Sequence, residues 1–542
     1  MLTPGIDRLL TRLPGHLGIR WVRSGKSRRV CLWLLCLALT WSSVTLGALP
    51  TLTVGTNVNI TKSTANNAEE TIAINPKNPL NLFASETASL ATKYSLDGGL
   101  TWNNCNVTAL GASIGDVAGA FDDYSNLFLV ELSSSSFHVV VGLSTNGGAT
   151  FSLLYQTASS GNDQPSVTVG PSSTSGQGSV WITYTDNTGS GRINAQGAAV
   201  TGLGHVGTFS AAQIAPGTSG ANGGDYGDIV VGPSGQVMVT YQSVNGSEGP
   251  DDIWINLDAD GLGAGGFGTQ SIATATHVGS FSTIPAQPKR KIDAEAGLAW
   301  DRSSGPYHGR LYLLYTDRPS TNSPDTDIYV RYSTNNGTNW SSPVRVNDDP
   351  IGNGKSQFLP KMALDQTSGF IAVSFYDCRN SAGNNTTEVW ATVSTNGGVS
   401  FLPNVKVSAG VSSALVSAIA GTSFDYGDYT GLTFYGGVFY PCWADNSNST
   451  GNNPSGALSN FDMYTARVTV NLPVVMVNPR RSGKNFLVSV QTTVGKTYYL
   501  QSAPSLTNPF WTTGTNVVGN GLLQDLVDTN LATQKFYRVL AQ

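Results

Sequence analysis

Along most of the chain the apolar positions fall in short runs of Val, Ile, Leu, Phe, Tyr and Trp, about four to eight residues long, continuous or alternating with polar residues. Gly, Pro, Asn, Asp or Ser closes each run, and apolar spacing of the helical kind is nearly absent. The pattern predicts short antiparallel strands joined by tight turns. One larger unit recurs: an acidic or polar residue, a short apolar strand, a Gly/Pro/Asp turn and a second apolar strand. It reads EETIAINPKNPLNLFAS from Glu69, GDVAGAFDDYSNLFLVEL from Gly115 and DQPSVTVGPSSTSGQGSVWITYTD from Asp163. It returns from Gly224 (GDYGDIVVGPSGQVMVTYQ), Asp293 (DAEAGLAWDRSSGPYHGRLYLLYTDR), Phe358 (FLPKMALDQTSGFIAVSFYDCR) and Phe424 (FDYGDYTGLTFYGGVFYPCWAD). The copies start roughly 45–70 residues apart, which leaves room for a four-stranded sheet each time.

A single sheet of this kind cannot bury both faces, so its stability must come from stacking on its neighbours. A ring of such sheets also removes the exposed strand edges. The expected fold is all-β: a six- or seven-bladed β-propeller, seven preferred, over residues 54–470, followed by a small β-sandwich-like module over 473–542. Six blades result if two segments merge or if the first only closes the ring.

A second motif recurs further along the blades: YSLDGGLTW at 94–102, LSTNGGATF at 143–151, YSTNNGTNW at 332–340 and VSTNGGVSF at 393–401. Asp or Asn tolerates left-handed backbone and binds nearby amides, Gly supplies positive φ, and the final aromatic opens the next strand. Ser95, Asp97, Gly99 and Trp102, with Asn146, Asn335 and Asn396 in the other copies, are read as scaffold. This turn resembles that of the sialidase-like, Asp-box (BNR-repeat) propellers of secreted bacterial type. SLDGGLTW fits that pattern throughout, the other three copies carry Asn for Asp, and DADGLGAGGFGT from Asp258 is a degenerate one.

The topology locates a candidate site. An inner strand and its antiparallel neighbour begin and end on the same face of the disc, so their polar ends meet at one mouth of the central channel. The ligand-binding candidates there are Glu69, Asp116, Asp163, Asp228, Asp293, Glu295 and Asp428 from strand starts, with Arg318, Asp377 and Arg379 from strand ends. Glu70, Asp186, Asp317 and Asp445 join the same set. Trp181, Tyr315, Tyr376, Tyr426, Tyr429 and Trp443 lie near these ends, as sugar platforms or as interblade packing. Such a ring of carboxylates suits a cation, polar sugars or one carboxyl with a raised pKa; the competing reading is that each acid caps a strand or pairs within its blade.

The resemblance implies three arginines gripping a sugar carboxylate, a Tyr–Glu nucleophile and an Asp acid/base. The sequence departs from this. No Arg occurs between Thr51 and Gly191, and STIPA from Ser282 has Thr283 where an Arg-Ile-Pro motif carries its Arg. The later arginines Arg302, Arg310, Arg318, Arg331, Arg345 and Arg379 cluster in blades five and six. Catalytic residues are therefore not identifiable. The leading expectation is recognition of an extracellular glycan or protein at the channel mouth; the alternatives are a glycoside hydrolase or polysaccharide lyase, and a structural cell-envelope protein.

Composition narrows the setting. Charged residues make up 12% of the 542 residues, Gly numbers 62 and the net charge is −5, against about 25% charged residues in ordinary domains. Without a basic run, nucleic acid is excluded as a partner, and a monomer is expected. Residues 1–48 read as a signal peptide: Lys26, Arg28 and Arg29 precede the apolar VCLWLLCLALTW, then small residues near Gly47 and Ala48. KSRRVCL also fits a twin-arginine export signal except at Cys31. The apolar run is too short to span a bilayer, so the mature protein is expected to be secreted, periplasmic or on the cell surface, with no transmembrane segment. Cys105, Cys378 and Cys442 remain, allowing one disulfide at most. No cofactor is required; a bound calcium is compatible with the acids but not indicated, and no metal ligands show the usual spacing. In the C-terminal module, Tyr498, Leu500, Trp511, Phe536, Tyr537 and Val539 are expected to form the core, with Arg480 and Arg481 in a solvated linker.

Overall fold

The period of two in the apolar runs decides which neighbour each strand meets. In the strand Asn78–Glu86, Phe83 packs against Leu127, Leu129 and Val140. Its flanking residues Leu82 and Ala84 point the other way, onto Tyr440, Cys442 and Met463. In Gly178–Asp186, Val180 and Ile182 meet Phe128 and Val130, whereas Trp181 meets Ile229, Val239 and Tyr241. A Cβ on Gly197 would lie 2.4 Å from the Trp181 indole, so the neighbouring strand admits only glycine there. Each core thus lies between sheets, where one large side chain contributes about 1.5–3 kcal/mol.

The computed structural model describes residues 50–541 except 189–190, 219–223, 244–247, 417–423, 493–495, 508, 521 and 531–533. The expected signal segment lies outside the described residues. Seven antiparallel sheets of the propeller kind follow one another along the chain. Their inner strands are Glu70–Asn75, Ser113–Phe121, Asn162–Pro171, Gly224–Val231, Gly297–Trp300, Gln357–Asp365 and Gly431–Tyr435. Each inner strand lies beside the next and the seventh lies beside the first, so the sheets are the blades of a closed propeller, numbered one to seven in this order. The N-terminal strand Thr51–Asn59 is the outer strand of blade seven, paired antiparallel with Asp462–Asn471. The Glu69 repeat builds a full blade of its own, which settles the count at seven. A hairpin, Ser282–Ile284 with Gln287–Ile292, is inserted between blades four and five.

The repeated glycine turns join the third and fourth strands of blades one, two, five and six, on the face away from the inner-strand starts. In the first, the Ser95 hydroxyl bonds Asp97 Oδ1 at 2.8 Å and accepts the Gly99 amide at 2.9 Å. Asp97 accepts the Leu100 and Thr101 amides at 3.0 and 2.9 Å, and Trp102 Nε1 donates to the Gly99 carbonyl at 3.0 Å. Asn146, Asn335 and Asn396 each repeat the arrangement, accepting the amides of Thr150, Asn339 and Ser400 at 3.0 Å. An amide oxygen therefore does what the carboxylate does. Asp97→Asn is expected to change stability by less than about 0.5 kcal/mol and Asp97→Ala to lower it by about 1 kcal/mol; urea denaturation of the two variants checks this. In the degenerate copy, Asp258 Oδ1 accepts the Asp260 and Gly261 amides at 3.2 and 2.9 Å.

After Asn471 the chain forms two three-stranded sheets around Val488, Val490, Tyr498, Leu500 and Leu526. Tyr537 and Val539 pack on this cluster as expected. Trp511 does not enter it, lying instead 4.4 Å from the Arg538 guanidinium. Arg480 and Arg481 are not a linker: they lie in the strand Met476–Ser482, where Arg480 pairs with Asp525. Cys105, Cys378 and Cys442 are free thiols.

Candidate functional site

A repeated backbone irregularity turns the inner-strand starts toward the channel. Asp116, Gln164, Glu295 and Leu359 occupy the same place in blades two, three, five and six, with φ of 53°, 43°, 44° and 46°. Register shifts accompany three of them, between Gly115 and Ala118, Asp163 and Ser166, and Phe358 and Lys361. Left-handed backbone at non-glycine residues costs about 1–3 kcal/mol each and gathers where geometry serves function. Glu69 and Asp425 add φ of 63° and 46° at blades one and seven. Six such residues thus recur at one mouth, while most of the others lie in turns and loops elsewhere.

The bulges bring four acids from distant segments together. Asp116 lies beside Asp163 and accepts the Gln164 amide at 3.2 Å. Burial, then the charge of Asp163, pushes the Asp116 carboxyl up to about 7. Glu69 is 1% exposed and accepts the Asp428 amide at 3.2 Å, while its Oε2 has no partner among the described residues. Burial and the nearby Asp428 raise its pKa well above the usual range. Asp428 is raised as well, by burial, against the lowering effect of Arg290. Across the channel, burial pushes Glu295 up to about 8, opposed by Lys361, whose ammonium is 3.9 Å away. Glu70 is fully buried, neither carboxyl oxygen has a partner among the described residues, and burial and the charge of Glu86 raise its pKa strongly.

Arg290, which sequence reasoning passed over, is the cation of this cluster. The inserted hairpin is rooted at Ser282, which bonds the Arg318 guanidinium at 3.0 Å, and reaches blade seven. There Gln287 Nε2 meets the Gly427 carbonyl at 2.8 Å, and the amides of Lys289 and Arg290 donate to Asp425 at 2.8 and 2.9 Å. Arg290 then grips Asp428 with both Nε (2.7 Å) and Nη2, and reaches Glu69 at 3.1 Å. The only signal in the sequence was a Lys-Arg-Lys run just ahead of Asp293. The mouth opens into a cavity of about 240 Å³ to which all seven inner strands contribute, with Gln164, Asp228, Glu295, Lys361 and Asp428 on its wall.

Four candidates, Arg318, Asp377, Arg379 and Asp293, lie outside both this cluster and the cavity wall. Arg318 is a buried clamp, bonding the carbonyls of His277 and Ser323 at 3.0 and 3.3 Å and the Glu248 carboxylate at 3.3 Å. Asp377 and Arg379 pair with each other at 2.8 Å; Arg379 also binds Asp348 and lies 4.1 Å from the Trp390 ring. Asp293 is turned back to accept the Glu295 amide. Asp186, Asp317 and Asp445 close strand ends on Arg192, the His277 amide and the Trp443 indole. Trp181, Tyr315, Tyr376, Tyr426 and Trp443 are interblade core rather than sugar platforms. Tyr429 holds the Thr87 hydroxyl at 2.9 Å and the Val117 amide at 3.1 Å. Among the described residues no group of His, Cys, Asp and Glu is arranged to hold a metal ion.

The raised carboxyls give stability a defined pH dependence. Ordinary values are 3.8 for Asp and 4.5 for Glu, against about 7 for Asp116 and about 8 for Glu295 in the folded protein. Their contribution is complete below the ordinary values and is lost as pH rises through about 7 and about 8, because the unfolded chain releases these protons first. Glu295→Gln is therefore expected to gain stability relative to wild type between pH of about 5 and about 9, by on the order of 1 kcal/mol or more. Urea midpoints of both proteins across that range measure it; parallel curves would refute the assignment.

No family model and no curated protein matches the chain. Among solved structures it is similar to a protein of unknown function from Dyadobacter fermentans, at 9% identity over 78% of this chain and 99% of that one, TM-score 0.41. It is also similar to an α-L-arabinofuranosidase from Fusarium graminearum in complex with an iminosugar inhibitor (12% identity, 63% of this chain, 98% of that one, TM-score 0.38). A third is the phage phi92 endosialidase (11% identity, 79% of this chain, 71% of that one, TM-score 0.39). At these scores the likeness is distant, and it is the closed ring of seven sheets that makes the chain a β-propeller.

Proposed function

We propose that the near mouth of the channel recognises an uncharged, hydroxyl-rich sugar residue of an extracellular glycan. The observation that supports this is the mixed character of one small cavity. Glu295, pushed up to about 8, keeps its proton at neutral pH and donates, as does the Lys361 ammonium; Asp428, held by Arg290, accepts. Sugar hydroxyls both donate and accept, and pair with such a wall without leaving a net charge buried. At about 240 Å³ the cavity falls just below the usual small-molecule range of about 300–1,000 Å³, which suits a single ring. A sugar carboxylate is disfavoured, since Arg290 is already engaged by Asp428 and Glu69. The setting we propose is outside the cytoplasm, reached through the signal segment 1–48.

A glycan array probed with the mature chain, beside a fluorogenic sialoside assay, tests this reading. Neutral glycans are expected to bind above sialylated ones; no neutral binder, or sialoside turnover, would overturn it. The raised Glu295 favours a second reading, hydrolysis of a bound neutral glycoside with Glu295 as the acid. Glu295→Gln separates the two, because the amide still donates a hydrogen bond but has no proton to transfer. Neutral-glycoside turnover by wild type that this variant loses while still binding would establish the second.

A further inference from the structure

The opposite mouth of the channel holds a cavity of about 760 Å³, walled by the first inter-strand turns of the blades. Arg302, just past the inner strand of blade five, reaches over blade four toward blade three. Its Nη1 donates to the Val231 carbonyl at 2.8 Å, and a Cβ on Gly170 would lie 3.2 Å from that nitrogen. The nearer neighbours of that Cβ are Val231 Cβ and Cγ1, at 2.6 and 2.7 Å, so the glycine makes room first for Val231 and then for the guanidinium.

Arg302 differs from the other shielded arginines. Arg192, Arg290, Arg318, Arg345 and Arg379 each meet a carboxylate. Arg310 lies over the Tyr332 ring at 4.0 Å, and Arg331 donates to the carbonyls of Ser341 and Ala273. Arg302 forms no ion pair among the described residues, although it lines the cavity. Its neighbour Asp301 is turned away, its Oδ1 accepting the Ser303 amide at 2.8 Å. Burial lowers the Arg302 pKa, and Asp123 and Asp301 oppose this only through their charge. Arg302 is half-buried, and a guanidinium with no ion pair gains a charge-assisted hydrogen bond from a bound anion, even with Asp122 and Asp123 on the same cavity wall. Tyr124, Phe434 and Tyr435 supply walls on which a ring can pack.

We infer that the far mouth is a second binding site, for a carboxylate or sulfate group carried on a sugar ring, with Arg302 as its anion fork. A planar guanidinium with donors to spare holds either group in a two-pronged hydrogen bond. The site is independent of the near-mouth reading: it lies at the other end of the channel and selects the opposite charge class.

Calorimetric titration of the full chain with D-glucuronate, glucose 6-sulfate and glucose tests it. The two anions are expected to bind and glucose to be silent, with Arg302→Gln weakening the anions at least about tenfold. Whichever anion binds more tightly identifies the group. Failure of both anions to bind wild type, or equal affinity for Arg302→Gln, would overturn the proposal. If that variant does not fold, phenylglyoxal modification of Arg302 in the wild-type chain, read by peptide mass spectrometry, decides instead. The bound anion is expected to slow it several-fold, and an unchanged rate would refute the site.

Discussion

Asp462→Ala is expected to lower the unfolding free energy by about 2–4 kcal/mol, through loss of the buried acceptor at the ring closure. The Asp462 carboxylate is fully buried at the start of the strand that receives the N-terminal strand. It accepts the Asn59 side-chain amide at 2.7 Å, the Thr61 hydroxyl at 2.9 Å and the Ser63 amide at 2.7 Å. Asn59 and Thr61 are themselves 2% and 9% exposed, and with alanine their donors keep only the Tyr464 hydroxyl at 3.5 Å and Asn67 Oδ1 at 2.9 Å as partners. Those donors hold the strand that closes the ring. Asp462→Asn keeps one acceptor oxygen and should fall between. Guanidinium denaturation measures both; a loss under about 1 kcal/mol for alanine would show that strand pairing alone closes the propeller.

Arg290→Ala is expected to cost about 2 kcal/mol near pH 8 and much less near pH 5. Removing one partner of a buried pair costs about 3–5 kcal/mol, but Arg290 is 34% exposed and solvent screens part of the interaction. Glu69 and Asp428, at 1% and 13%, cannot move into water. Without the cation their pKa values rise further. The loss therefore grows as pH rises and they ionise, and fades as pH falls and they take up protons. Denaturation curves of wild type and variant at several pH values give the difference directly; a loss independent of pH would mean that Arg290 acts only by tethering the hairpin.

The repeat, the strand period and the glycine turns were legible because each is local. A period of two fixes which face a side chain takes, and an Asp or Asn two residues past a Ser closes its turn whatever surrounds it. The acids at the inner-strand starts were legible too, because the topology alone gathers strand starts at one mouth, and Glu69, Asp116, Asp163, Asp228, Glu295 and Asp428 lie there. Arg318, Asp377 and Arg379 carry the same kind of signal, a charged residue at a strand end, yet face other partners. Asp377 has its partner Arg379 two residues on, whereas Asp428 has no basic residue nearby in the sequence and meets Arg290 only through the fold.

By itself, then, the sequence determined an all-β chain of repeated sheets, the turns that shape them and the face on which the acids gather. Only the tertiary structure decided the closure through Thr51–Asn59, the reach of Arg290 across the near mouth and the place of Arg302 at the far one, on the Val231 carbonyl and without an ion pair among the described residues. The physical reason is range. Backbone propensity and side-chain alternation act within a few residues, whereas a charge finds its partner, or finds none, only after segments hundreds of positions apart have been packed side by side.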